Sequence, residues 1–306
     1  MKGLKKLALA TAVAAAPFAA QAELQAMDDS MMGNVTGQAG VTIELETQVS
    51  IGQFTYTDEG TFAVKDIELG GAGVTGVTEY QNAAGQTVAV NGLLDQLKID
   101  IDINDDGDAV IEVGTLDGNS IDWGMTAGSM ELEGNGGENT VLVSNMSAWG
   151  LLSQLDIVVD TDDVDNQAGT GTLNIDAAFT VEDMNFDVEF LGIGVRGMTV
   201  RSSESGGETL GAQGLAAIFA EDPTAPTAAE AKKIGLAQAG YAIIGLDIYK
   251  GGGLGASTAT DVLRVDVDDV LMDINVAETV IGGANIGTIG IDNLHISNTK
   301  LAVYGK

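Results

Sequence analysis

Cysteine is absent from all 306 residues, so no disulfide can hold the fold together and thiol chemistry is excluded. Histidine occurs once, as His295 in the alternating run Leu294-His295-Ile296, without the nucleophile and orienting partner that an imidazole base needs. Basic residues are scarce: 13 Lys and Arg stand against 45 Asp and Glu, a formal charge of −32. Such a chain is repelled by nucleic acid and by anionic headgroups, and its scattered cations form no basic patch to offset this. Aromatic residues are only 5 % of the chain, which counts against an outer-membrane barrel with aromatic girdles. No run of eighteen apolar residues follows the first segment, so no transmembrane helix is expected. Proline is limited to Pro17, Pro223 and Pro226.

The first 22 residues join a basic start (Lys2, Lys5, Lys6) to an apolar stretch, Leu7 to Ala16, and a small-residue close at Ala20-Gln21-Ala22. The pattern predicts a signal peptide over residues 1–22, cleaved before Glu23, and therefore export. Without a cysteine at that point no N-terminal lipid anchor is expected. Loss of the three lysines takes the formal charge from −32 to −35.

Residues 23–306 are expected to form a single β-rich domain. Val41, Ile43 and Leu45 alternate with Thr42, Glu44 and Glu46, and Ile99, Ile101 and Ile103 with Asp100, Asp102 and Asn104. A period of two buries one face of a strand and wets the other. Further strands are predicted over 173–181, 184–190, 263–267, 270–276 and 286–303, separated by glycine and Asn/Asp clusters suited to hairpin turns. The fold class is all-β: an elongated, curved, mostly antiparallel sheet or roll. A β-solenoid is the alternative, suggested by the five-residue step of Ile286, Ile291, Ile296 and Leu301.

Residues 203–260 break the alternation and read as an insertion, with a short helix opening at the capping-box signature Thr227-Ala228-Ala229-Glu230. Long segments on a rigid scaffold often carry recognition.

Gly-x-Ser-x-Gly, His-Glu-x-x-His and Gly-x-x-x-x-Gly-Lys are all missing, and no catalytic or cofactor-binding residue emerges, so an enzyme is not expected. Calcium is the one cofactor suggested. Asp102, Asn104 and Asp106, followed by Gly107, fit the opening of a calcium loop, but its twelfth position falls on Val113 instead of Glu112, and the flanks read as strands. A plain Asn-Asp-Asp-Gly hairpin competes with that reading. Asp160 and Asp162 begin a second acidic run that is either a cation site or a solvated loop. Acidic residues on successive strands (Asp100 and Asp102, Glu131 and Glu133, Asp183 and Asp187, Asp266 and Asp268) predict facing like charges that salt or divalent ions relieve. They serve equally as protection against strand-to-strand aggregation.

The stretch after the leader, Leu24-Gln25-Ala26-Met27-Asp28-Asp29-Ser30-Met31-Met32-Gly33-Asn34-Val35-Thr36-Gly37-Gln38-Ala39-Gly40-Val41-Thr42-Ile43, resembles the N-terminal signature of the DUF6160 family of bacterial proteins, most strongly from Asp28 to about Leu69. Some members of that family are described as pilus-system proteins of the Fil type. The resemblance implies a role at a Gram-negative surface and supplies no site residues. The expected function is thus a cell-surface structural protein, pilus- or adhesion-associated, partnered by secretion or assembly proteins or by itself. The alternative is a periplasmic or secreted binding module whose sheet curls around an apolar ligand. A carboxylate-based polysaccharide enzyme ranks third.

Overall fold

The computed structural model describes residues 40–305 except 83, 135, 162–170 and 203–208. The expected leader, the segment Asp28 to Ala39 and the candidate ligand Asp162 lie outside the described residues.

Fourteen strands form: β1 (Val41–Thr47), β2 (Val49–Thr57), β3 (Thr61–Gly70), β4 (Glu79–Gln81), β5 (Thr87–Ala89), β6 (Leu94–Ile103), β7 (Ala109–Thr115), β8 (Ile121–Glu133), β9 (Asn139–Asp160), β10 (Thr172–Val188), β11 (Ile193–Arg201), β12 (Ala242–Gly251), β13 (Val262–Ile281) and β14 (Ala284–Val303). Two helices, α1 (Gly211–Phe219) and α2 (Ala228–Gln238), lie between β11 and β12. Twelve strands make one sheet and β4–β5 a separate hairpin; every ladder is antiparallel, as the predicted turns require. That pairing decides against the solenoid.

The sheet is an up-and-down meander. β9 pairs along one edge with both β7 and β8, and β10 with both β11 and β12, so these pairs are halves of one strand position. By the same logic β1 with β2 and β3 with β6 share a position, and the order across the sheet is β1/β2, β6/β3, β7/β8, β9, β10, β12/β11, β13, β14. Besides the one-residue break at Gln48 between β1 and β2, three of the eight positions are interrupted midway, by residues 71–93, 116–120 and 202–241.

The predicted strands 173–181 and 184–190 merge into one strand, β10, which ends at Val188 before a 3-10 turn at Glu189–Leu191, and 263–267 with 270–276 are parts of β13; register shifts sit where the pattern appeared to break. The expected insertion is shorter than 203–260. The chain returns to the sheet at Ala242, and β12 is an interior strand between β10 and β13. Within β14, Asn293 and Asn298 are left-handed (both φ 54°), and at Asn293 a register irregularity adds one residue to the strand, which contributes to the five-residue step there.

The helices pack on the sheet through Leu215, Ala216, Phe219, Ile234 and Ala237 against Ala178, Ile243 and Leu271. Thr227 caps α2 as predicted: its hydroxyl accepts from the Glu230 N–H, and the Glu230 carboxylate accepts from the Thr227 N–H. Gly150 meets a steric demand at the centre of the sheet, where a Cβ would run into the Thr180 carbonyl oxygen and the Trp123 ring.

Candidate functional site

Cross-strand register turns the alternation of single strands into rows that run the width of the sheet. One row is Thr42, Asp100, Glu112, Asp156, Asp176, Gly245, Asp269 and Ser297. Four carboxylates therefore stand side by side on β6, β7, β9 and β10, an arrangement that costs up to about 1 kcal/mol per opposed pair unless countered. Counter-charges are present. Lys98 lies 2.8 Å from Asp100, and α2 brings Lys232 to 2.9 Å from Asp156 and Lys233 to 2.7 Å from Asp176. Lys98 and the Thr42 hydroxyl hold the Asp100 carboxyl below the usual carboxylate range. At the end of the row, burial and the neighbouring Asp247 and Asp269 push Asp268 up to about 6. His295 sits on this face, 3.7 Å from Asp269.

The calcium candidates lie at one end of the same sheet. Asp102 closes β6, and Asn104 and Asp106 form the turn to β7: the Asn104 N–H donates to the Asp108 carbonyl and the Gly107 N–H to the Asn104 carbonyl. This is the hairpin reading. Asp160 ends β9 beside it, because the Asp108 carboxylate accepts from both the N–H and the hydroxyl of Thr161. The two acidic runs are thus neighbours, yet among the described residues no group of three or more His, Asp or Glu is arranged to hold a metal ion.

All three interruptions of the sheet rise from this charged face and meet over its middle. Tyr80 of the β4–β5 hairpin donates to the Ser120 carbonyl, the Ser120 hydroxyl is 2.5 Å from that of Tyr241, and Asn82 donates to Asn119. Burial pushes the Tyr80 phenol up to about 12. Between the hairpin and the sheet lies an open cleft of about 410 Å³, lined by Trp149, Leu151 and the ion pair Glu182–Arg201.

The opposite face carries no charge along its rows. One runs Val41, Ile101, Ile111, Ile157, Ile175, Leu246, Val267 and Thr299; another runs Val49, Leu69, Met125, Ala148, Met184, Met198, Val276 and Ile289. Phe179, in phase with Ile175, packs against the same buried cluster of Val181, Val200 and Ala242 as Met184 and Met198, so both rows share a face. It is open at its margins, where Ile43 is 41 % and Ile291 43 % exposed, while Val181, Val200 and Val276 in its middle are buried, the first two among Trp123, Phe179, Met184, Met198, Met272 and Ile274. Sequence reasoning found the alternation without this consequence, since the row requires the register of eight strand positions.

Residues 1–105 match the model of DUF6160, a family of unknown function. The match includes β1 to β6 and stops at the first turn of the acidic hairpin, so the matched residues include the first two of the eight strand positions. No curated protein and no solved structure matches the chain.

Proposed function

We propose that this chain is an exported, non-catalytic structural protein that works by burying its apolar sheet face against a protein partner. The uncharged face with exposed apolar margins is the observation that carries this reading, since large contiguous apolar surfaces mark interaction sites. Export rests on the leader read in residues 1–22, and a place in a surface or pilus system on the DUF6160 resemblance. Charge supports protein over membrane as the partner. Each of the nine described Lys and Arg residues is ion-paired with a carboxylate, which leaves no basic rim for anionic headgroups.

A second reading, a carrier of an apolar ligand, is favoured by one feature. Met125, Met146, Met184, Met198 and Met272 all lie on the apolar side, and flexible thioethers adapt to irregular ligands.

The test is the native size of the protein in envelope extracts of the cells that make it, for the wild type and for Met184→Lys. The proposal expects a complex above monomer mass that the lysine variant loses, and removal of the protein from intact cells by added protease. Monomer mass in both extracts overturns the partner, and survival until the outer membrane is opened overturns the surface location.

A further inference from the structure

We infer that the partner on the apolar face is a second copy of the same chain, the two sheets packing face to face into a β-sandwich with both acidic, helix-bearing faces outward; this rests on the proposed structural reading. Size is the first argument. Eight strand positions at about 4.8 Å and strands rising about 3.3 Å per residue over their length give a face of roughly 2,000 Å², against about 800 Å² per partner in a typical stable complex. A peptide or a single small ligand would cover a fraction of it. Another copy has the same extent and the same lack of charge, as a two-fold interface demands.

Charge is the second. A pair of mature chains at −35 each repel, but the carboxylate row lies on the far side of each sheet. Two sheets packed about 10 Å apart place their outer charges beyond roughly one Debye length at physiological salt, where the repulsion is largely screened. Association therefore tightens as sodium chloride is added, the opposite of a contact held by ion pairs.

Chemistry makes the test clean, because a chain without cysteine reports each introduced thiol alone. The purified mature chain, Glu23 to Lys306, is measured by sedimentation, and the single variants Ile157→Cys, Ile175→Cys and Met184→Cys are treated with a short bis-maleimide. Glu112→Cys on the charged face and Lys300→Cys on β14 are the controls. The inference expects twice the monomer mass, stronger association in salt, and cross-links from apolar-face cysteines alone. A dimer linked through Glu112→Cys or Lys300→Cys and not through the apolar face overturns it. So does a monomer at all salt concentrations; if envelope extracts still contain the larger complex, only self-association falls, and if they do not, the structural reading falls with it. Should Met184→Lys fail to fold, the cysteine series decides without it.

Discussion

Asp156 and Asp176 stand directly opposite each other on β9 and β10, and consecutive lysines of α2, Lys232 and Lys233, each reach one of them. The helix is thereby fastened over a repulsive pair, and the pair is tolerable because the helix is there. Replacing Lys232 or Lys233 by Ala is expected to lower stability by about 0.5–1 kcal/mol each. Urea midpoints at low and high salt check this: the loss should shrink in salt, and a loss indifferent to salt would show that packing of the lysine stems matters instead.

Asp268 supplies a pH dependence of unusual sign for a carboxyl. Unfolded, it releases its proton near the ordinary 3.8, whereas in the folded chain it does so at about 6. Between those values the folded state holds the extra proton, so this group's contribution to stability falls as pH rises across the window and stays lower above it. Asp268→Asn should raise the unfolding midpoint at pH 7 and flatten the decline between pH 4 and 6. Superimposable wild-type and variant profiles would refute the assignment.

Sodium chloride should raise the thermal midpoint, because the Asp100, Glu112, Asp156 and Asp176 row is self-repulsive. At matched ionic strength calcium is expected to do no more. A rise specific to calcium, abolished by Asp106→Asn, would instead place an ion between the Asn104–Asp108 turn and Asp160.

Gly150→Ala is expected to cost about 1–3 kcal/mol, since the new methyl meets the Thr180 carbonyl where β9 and β10 must stay in register. Denaturant unfolding measures the cost. Gly114 offers a comparison on the outer part of the sheet, where a Cβ meets nothing, and Gly114→Ala should be close to neutral.

The fold class was legible because period two survives in almost every strand, and α2 because a capping box is a local device written in four consecutive residues. α1 was not legible: its N-cap, Leu210, makes no side-chain hydrogen bond, and the helix is held by Leu215 and Phe219 packing on the sheet. The insertion was expected to run to residue 260, past Gly251-Gly252-Gly253, but Ile244, Leu246 and Ile248 already alternate with Gly245, Asp247 and Tyr249. Glycine punctuation there marks the loop from β12 to β13. In β14 the irregularity at Asn293 broke the period of two and helped an ordinary antiparallel strand read as a five-residue repeat.

By itself the sequence determined that each strand has one apolar and one polar side, that no disulfide or basic patch takes part, and that the chain is strongly acidic, since these follow from composition and from neighbours two residues apart. Only the tertiary structure decided which strands stand side by side. Asp100, Glu112, Asp156 and Asp176 become a row, and Ile101, Ile111, Ile157 and Ile175 a continuous apolar surface behind it, through hydrogen-bond register between segments far apart in the chain, which no local pattern encodes.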